Sequence, residues 1–258
     1  MNPQVRLARI AGAYYLIVAI FAGFAEIVRL NVYVPDDAVA TAANVVANAD
    51  LVRFSFVADL VQATFALFLV LALSRLLQHV HSGMARAMVL FVVLQVGITC
   101  LNMVHQFAAL QVATGSSYAS AFGADEVNAL VLLLMDMQHS GFLIAQIFFG
   151  LWLFPLGWLA YRSGMFPRPL GVILMVATAA YLVDVPLQFL AHGFAEAISP
   201  IVVVPLVTIA EVSMVCYLLI KGVRTPSTNP KRPVDPNPPV DMNPSVGIAP
   251  AKHPLVTP

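Results

Sequence analysis

Apolar residues fall into six long runs along the chain, separated by short polar segments. The runs cover residues 10–29, 54–74, 86–112, 130–161, 169–190 and 200–220. Each run has roughly the 20 residues that a helix needs to cross a hydrocarbon layer about 30 Å thick. The pattern predicts an all-α integral membrane protein, in which residues 1–224 form one domain, a six-transmembrane-helix bundle.

Composition indicates the same class of protein. Hydrophobic residues make up 60% of the 258 residues and charged residues only 10%, with a mean hydropathy of +0.86, whereas soluble proteins carry about 25% charged residues. There is no basic run to suggest nucleic acid, so the predicted partner is the lipid bilayer. Cys100 and Cys216 both lie inside apolar runs, which favours structural core cysteines over a disulfide or a thiolate zinc site.

Lys and Arg are unevenly distributed between the two sides of the predicted bundle. If the N-terminus is cytoplasmic, eleven of the 13 basic residues lie on the cytoplasmic side, and only Arg29 and Arg53 lie on the outer side. The bias alternates consistently over all six spans, as the positive-inside rule requires. It predicts a multi-pass protein of the cell (inner or plasma) membrane with both termini in the cytoplasm.

The segments outside the runs carry weaker signals. In the segment 31–50, Pro35, Asp36 and Asp37 precede an Ala-rich stretch, which predicts a short amphipathic helix at the outer surface. The Gly- and Ser-rich segment 114–125 predicts a plain turn. Ten of the 18 prolines lie in residues 225–258, which predicts a disordered, polyproline-II-like cytoplasmic tail that is either passive or a docking segment.

Small and polar residues recur at helical spacing within every run, so each predicted helix carries one polar stripe. The fourth stripe, with an acid and an imidazole three residues apart, is the most prominent. In chain order the stripes are Gly12, Tyr15, Ala19, Ala22 and Glu26; Ser55, Asp59, Gln62 and Ala66; Gln95, Thr99, Asn102 and Gln106, beside His105; Asp136, His139, Leu143, Gln146 and Gly150; Tyr181, Asp184 and Gln188; and Thr208 and Glu211. Such stripes mark helix contacts in membranes, so they predict a bundle with a polar interior.

A helical rise of 1.5 Å per residue places most ionisable groups of these stripes in the outer third of the membrane and Glu211 near the midplane. The predicted interior is therefore a polar cup that opens outward, with a carboxylate at its floor. No catalytic residue is assigned. The ligand-binding candidates are Glu26, Asp59, Gln62, Asn102, His105, Asp136, His139, Gln146, Asp184, Gln188 and Glu211.

Five of these candidates are carboxylates, and their charge needs compensation. An unpaired carboxylate at the bilayer centre costs about 2.5–3.5 kcal/mol on insertion scales, and Arg29 and Arg53 are expected to reach only the outermost carboxylates. Protonation, water in an open cup, a metal ion and a histidine cation are the alternatives. The five are Glu26, Asp59, Asp136, Asp184 and Glu211.

Histidines raise the alternative of a metal site. His105, His139 and His192 are the candidate ligands, and zinc or iron would be the cofactor in that case. No spacing such as His-Glu-x-x-His supports a metal, and otherwise no cofactor is predicted. For His139, an interhelical hydrogen bond, a proton relay and a metal site all stay open as interpretations.

Four short motifs stand out by their order and spacing. They are residues 9–16 (RIAGAYYL), 34–37 (VPDD), 50–54 (DLVRF) and 162–171 (RSGMFPRPLG). Together they resemble the bacterial six-span membrane family catalogued as domain of unknown function 4386, over residues 5–222. The resemblance implies a bacterial inner-membrane protein of six helices and brings no activity, cofactor or catalytic residue with it.

Three hypotheses for function follow, and none specifies an oligomeric state. The first is a membrane protein that binds or moves a small solute, proton or cation through its polar cup. The second is an intramembrane metal-dependent enzyme acting on a lipid-like substrate. The third is a structural or regulatory partner that docks through the tail or the segment 31–50. No inverted repeat or broken Gly/Pro-rich span of a typical secondary transporter is evident, and an enzyme is not favoured.

Overall fold

Six helices long and apolar enough to cross a membrane occur in the computed structural model, which describes residues 2–224. The helices in chain order are α1 (Pro3–Val32), α2 (Ala38–Ala47), α3 (Ala49–Leu77), α4 (Ser82–Thr114), α5 (Ser116–Ala121), α6 (Ala124–Ser163), α7 (Arg168–Leu190), α8 (His192–Ile198), a π-helical segment (Ser199–Val203) and α9 (Val204–Ile220). The spans are α1, α3, α4, α6, α7 and the composite His192–Ile220. The prediction of an all-helical fold with six apolar spans is confirmed. The predicted tail, 225–258, lies outside the described residues.

Each apolar run lies within a helix that extends beyond it, because polar residues near the helix ends satisfy the free backbone groups. Asn2 caps α1 by accepting a hydrogen bond from the backbone N–H of Gln4 at 3.0 Å. His81 caps α4 by accepting one from Met84 at 3.1 Å. At the end of α6, Gly164 adopts φ +68°, a left-handed conformation that glycine favours.

The connections confirm one prediction and correct another. Asp37 accepts a hydrogen bond from Ala40 N at 2.8 Å, so the predicted short helix after α1 begins where its acidic residues indicated. The prediction of a plain turn over 114–125 was wrong, because this segment contains α5.

The sixth span is also less regular than expected, because a π-helical segment separates α8 from α9. Its π-helical segment contains Pro200, and Pro205 follows at the start of α9. Proline lacks a backbone N–H and cannot continue a regular α-helical ladder, which explains why the irregularity occurs at this point. The expectation that no span is broken was therefore wrong for this one.

The spans pack as a closed ring. Each span packs against the next, in the order α1, α3, α4, α6, α7 and α9, and α9 returns to α1. At one end of the ring Arg224 N donates to the backbone oxygen of Met165 at 3.0 Å. This end (the terminal side) carries both ends of the described chain and the α3–α4 and α6–α7 connections. The opposite end (the α2 side) carries α2, α5 and α8.

Two hydrophobic clusters pack the ring at its two ends. The larger cluster fills the terminal side with side chains that have almost no exposed surface, such as Leu73, Leu77 and Leu156. The smaller cluster joins α2 to the adjoining ends of α1, α3, α4 and α6. Large apolar side chains such as Leu101, which is 74% exposed, cover the outside of the ring. This distribution suits a bundle surrounded by lipid.

Glycines set the closest helix contacts on the terminal side. A Cβ atom on Gly171 of α7 would lie 2.6 Å from the carbonyl oxygen of Gly157 on α6, and one on Gly157 would lie 2.7 Å from the carbonyl oxygen of Gly171. Both obstacles are backbone atoms, so only a shift of one helix against the other makes room. Gly157 and Gly171 therefore form a helix contact between α6 and α7.

We expect Gly171→Ala to destabilise the protein by about 1–3 kcal/mol, the usual cost of overpacking. Gly97→Ala is the matched control, since its added methyl group meets nothing within 4 Å and alanine favours the helix. The measurement is the apparent melting temperature of the purified variants in detergent. A fall no larger for Gly171→Ala than for Gly97→Ala would contradict the close packing of α6 on α7.

Candidate functional site

The ring encloses a cavity of about 450 Å³ between its two hydrophobic clusters. This volume falls within the range of about 300–1,000 Å³ that is typical of small-molecule sites. Side chains of α1, α3, α4, α6 and α9 form most of the wall, and Tyr181 is the contribution of α7. The wall is a mixture of aliphatic, aromatic and polar groups.

An ion-paired arginine lies at the edge of the cavity nearest the α2 side. Arg29 donates from Nη1 to Asp59 Oδ2 at 2.7 Å and from Nε to Glu26 Oε2 at 3.0 Å. Its guanidinium also lies over the ring of Phe142, 5.5 Å from the centroid. Arg29 and Asp59 are buried, whereas the Glu26 side chain is 40% exposed. This single cation therefore pairs with two of the five predicted carboxylates.

A third carboxylate, Glu211, lines the cavity from α9. Tyr15 and Tyr181 lie close enough to Glu211 to interact with it electrostatically. Tyr15 also packs against Trp152, with ring centroids 5.7 Å apart. All four residues line the cavity. Within residues 2–224, no Lys, Arg or His side chain forms an ion pair with Glu211.

Four buried polar atoms in the described part of the wall have no hydrogen-bond partner. They are Tyr15 Oη, Gln95 Oε1, Thr99 Oγ1 and Gln146 Oε1. The Tyr15 hydroxyl approaches Glu211 without reaching regular hydrogen-bond geometry. Leaving such a group unsatisfied costs about 1–3 kcal/mol. Their concentration around one cavity indicates that water or a ligand completes their hydrogen bonding.

The wall is thinnest between α1 and α9. The exposed lining residues all belong to these two helices: Ala19 and Gly23 on α1, and Thr208 and Val212 on α9. Lower on the same interface, towards the terminal side, a Cβ atom on Gly12 would lie 2.9 Å from Leu218 Cβ, so the helices are in close contact. The exposed lining residues beyond this contact mark a crevice between the two helices (the α1–α9 crevice) on the side towards α2.

Six of the eleven predicted ligand-binding residues line the cavity, one or two from each of five spans. These are Glu26, Asp59, Gln62, Asn102, Gln146 and Glu211. The other five, namely His105, Asp136, His139, Asp184 and Gln188, do not line it. The stripes of α1, α3 and α4 were predicted on the correct faces, since their members Tyr15, Gln62 and Thr99 all contribute to the wall.

Asn102 has a structural role as well as a place in the wall. Its Nδ2 donates to the backbone oxygen of Gln138 at 2.7 Å, and its side chain lies directly over Gly141, where a Cβ atom would overlap it. His105 Nδ1 lies 3.2 Å from the backbone oxygen of Asn102 and 3.3 Å from its Oδ1. The amide therefore fixes α4 against α6 and orients the neighbouring imidazole.

The cavity face of α6 differs from the stripe predicted around Asp136 and His139. That face presents Gln138, Phe142 and Phe149 as well as Gln146. Asp136 and His139 turn instead towards the C-terminal end of α1.

Tyr33 binds this acid–imidazole pair. Its Oη donates to Asp136 Oδ1 at 2.7 Å, and its ring stacks on His139 with centroids 5.6 Å apart. Burial and the hydrogen bond to Asp136 raise the pKa of Tyr33 well above its usual value, so the phenol stays protonated as a donor. In this geometry the pair joins α6 to the end of α1.

The remaining candidates lie away from the wall. Asp184 is buried and accepts a hydrogen bond from Ser199 Oγ at 3.2 Å, linking α7 to the π-helical segment. His192 Nε2 lies 3.2 Å from Glu196 at the exposed start of the sixth span. Among residues 2–224 no three His, Cys, Asp or Glu side chains are grouped in a way that would hold a metal ion.

Several wall residues were missed by the sequence analysis. Arg29 was expected to reach the outermost carboxylates but was not placed among the ligand-binding candidates, although its spacing of three from Glu26 places both on one helical face. Phe142, Phe149 and Trp152 also line the cavity and were not among the candidates. No signal in a single sequence distinguishes an aromatic side chain that faces lipid from one that faces an internal cavity.

Comparisons with known proteins identify a family for the chain. A family model described as Domain of unknown function (DUF4386) matches residues 10–222. The chain belongs to this family. The DUF4386 chain is also 37% identical over 79 residues to a protein of Archaeoglobus fulgidus named "Uncharacterized protein", covering 31% of this chain and 44% of that relative. It thus spans less than half the length of that relative. No solved structure matches the DUF4386 chain.

We expect Arg29→Ala to destabilise the protein by about 3–5 kcal/mol, because Asp59 would be left buried without its cation. Arg53→Ala is the control, since Arg53 pairs with Asp50 at an exposed site, where ion pairs contribute about 0–1 kcal/mol. Apparent melting temperatures in detergent would measure both. Equal effects of the two substitutions would contradict the importance of the buried pair.

Proposed function

We propose that this DUF4386 protein binds a small amphiphilic molecule in its central cavity. The observation that carries the proposal is the coincidence of a drug-sized cavity, an aromatic and aliphatic wall, and four buried polar atoms without partners in that wall. An apolar body would displace water from the hydrophobic part of the wall. A polar group on the same molecule would satisfy the unpaired amides and hydroxyls.

The distribution of basic residues supports an orientation with both termini in the cytoplasm. The α2 side then faces outward, in a bacterial inner membrane. The Glu26 side chain, which is 40% exposed, lies at the solvent-accessible edge of the cavity on that side. The α1–α9 crevice lies on the same side of the Gly12–Leu218 contact. We infer that the ligand enters from the outer half of the membrane.

Binding has more support than conduction across the membrane. The terminal side is closed by fully buried leucines, including Leu73, Leu77 and Leu156, and by the glycine contacts between α6 and α7. Moving a solute through this end would require these helices to separate. The metal-dependent alternative has less support, because His105, His139 and His192 are not gathered around one point with other ligands from residues 2–224.

Access of water to the cavity is the first test. In a background lacking Cys100 and Cys216, we expect Thr99→Cys to react with a charged methanethiosulfonate reagent. Thr99 lines the cavity, where water would keep the introduced thiol ionisable. Thr64→Cys is the matched control, since Thr64 is exposed on the outer surface of α3, where lipid should protect the introduced thiol.

The rates are measured with reagent added to right-side-out and to inverted vesicles. Reaction of Thr99→Cys that is faster from the outer side, and faster than that of Thr64→Cys, is the expected outcome. Equal, slow rates for both variants would contradict a hydrated cavity. Faster reaction in inverted vesicles would reverse the proposed direction of access.

Orientation has a separate test. Green fluorescent protein fused after Pro258 should fluoresce if the C-terminus is cytoplasmic, whereas alkaline phosphatase at the same position should be inactive. The reverse pair of results would contradict the orientation inferred from the basic residues, and would leave the cavity itself unaffected.

A further inference from the structure

The geometry points to a cationic amphiphile, of the class of lipophilic amines, as the ligand of the cavity, with Glu211 as its counter-ion. This inference rests on the proposed function and specifies the chemistry of its ligand. It assigns a role to the one acidic side chain of the described wall that has no cationic partner.

The charges around the cavity favour a cation. Its charged lining residues are Glu26, Arg29, Asp59 and Glu211. Arg29 is held by two carboxylates and buried, so it is not available to neutralise an anionic ligand. Glu211 forms no ion pair within the described residues, and an ammonium group next to it would make a charge-assisted hydrogen bond in a medium that strengthens it.

The surroundings of Glu211 also suit an ammonium group. Tyr15, Trp152 and Tyr181 line the same cavity, and Tyr15 is 99% buried, with 1% of its surface exposed. Aromatic faces attract cations, the more strongly when water is excluded. The unpartnered Tyr15 hydroxyl is available to accept a further N–H hydrogen bond.

The position of Glu211 relative to the α1–α9 crevice explains why the ligand should be lipophilic. Thr208 and Val212, the exposed wall residues of α9, lie three residues before and one residue after Glu211. On the α1 side, a Cβ atom on Gly23 would meet nothing within 4 Å. An amphiphile held in the bilayer can therefore bring its polar head to Glu211 while its apolar part remains between α1 and α9 or enters the aliphatic wall.

The fluorescence of a native tryptophan can report ligand binding at this site. Of its two tryptophans, Trp152 lines the cavity, whereas Trp158 contacts His81 and Arg162 away from it. In a Trp158→Phe background the fluorescence comes from Trp152 alone. The full chain is reconstituted in nanodiscs and titrated at neutral pH with phenylbutylamine, phenylbutanol and phenylbutyrate, which share one apolar body and differ in head-group charge.

We expect the amine to bind at least about tenfold more tightly than the alcohol, the ratio that a hydrogen bond to a charged group provides, and the carboxylate to bind most weakly. Glu211→Gln should remove the advantage of the amine over the alcohol. Glu196→Gln, which alters an exposed carboxylate of α8, should change nothing. Ala22→Phe, which narrows the cavity, should weaken binding of all three probes.

The outcomes separate this inference from the proposed function. If the alcohol binds to the protein and Glu211→Gln leaves the ranking of the three probes unchanged, the role of Glu211 is refuted while cavity binding stands. Preference for phenylbutyrate would overturn the cationic class outright. If none of the probes binds, or if Ala22→Phe binds them as well as the parent does, the proposed function fails together with the inference. Size-exclusion profiles and circular dichroism of each variant confirm folding, and Glu211→Asp, which keeps the charge, should retain a preference for the amine.

Discussion

The hydrocarbon core of a membrane provides no hydrogen-bond partners, and this constraint determines where polar side chains lie within the six spans. Polar side chains within the spans must either pair with each other or border a hydrated space inside the bundle. In this protein both solutions occur: Arg29, Glu26 and Asp59 pair among themselves, and Gln95, Thr99 and Gln146 border the cavity. The ring arrangement follows from the same constraint, because a ring directs six polar faces towards one centre and leaves six apolar faces for lipid.

Arg29 has an influence beyond its own contacts. It joins α1 to α3 through Asp59 and lies over Phe142 of α6, so it holds three spans together where the cavity approaches the α2 side. A carboxylate pair without this cation would repel and would have to be neutralised or hydrated. With the cation present, Glu26 and Asp59 share one arginine at one edge of the cavity, whereas Glu211 on the neighbouring α9 has no cationic partner among the described residues, so the two edges of the cavity are chemically different.

The sequence was sufficient to predict the six spans, because length and apolarity decide whether a helix can cross a membrane. It also predicted the cavity-facing residues of α1, α3, α4 and α9, where one polar stripe interrupts an otherwise apolar helix. The face of α6 was misjudged because Asp136 and His139 dominate its pattern, although they bind Tyr33, and because Phe142 and Phe149 look like lipid-facing residues. Which aromatic residues face inward depends on the tertiary arrangement of the helices, and helical periodicity does not encode it.

The two sides of the bundle differ in a way that bears on function. On the terminal side, helices approach to backbone contact at Gly157 and Gly171 and the interior is filled with leucine. Towards the α2 side, beyond the Gly12–Leu218 contact, cavity-lining residues of α1 and α9 are exposed, and Ala19 and Gly23 present almost no side-chain bulk there. Small residues usually bring membrane helices together. Where small residues lie beside an opening, as Ala19 and Gly23 do, they leave room for another molecule. This opening belongs to the same cavity that Glu211 lines.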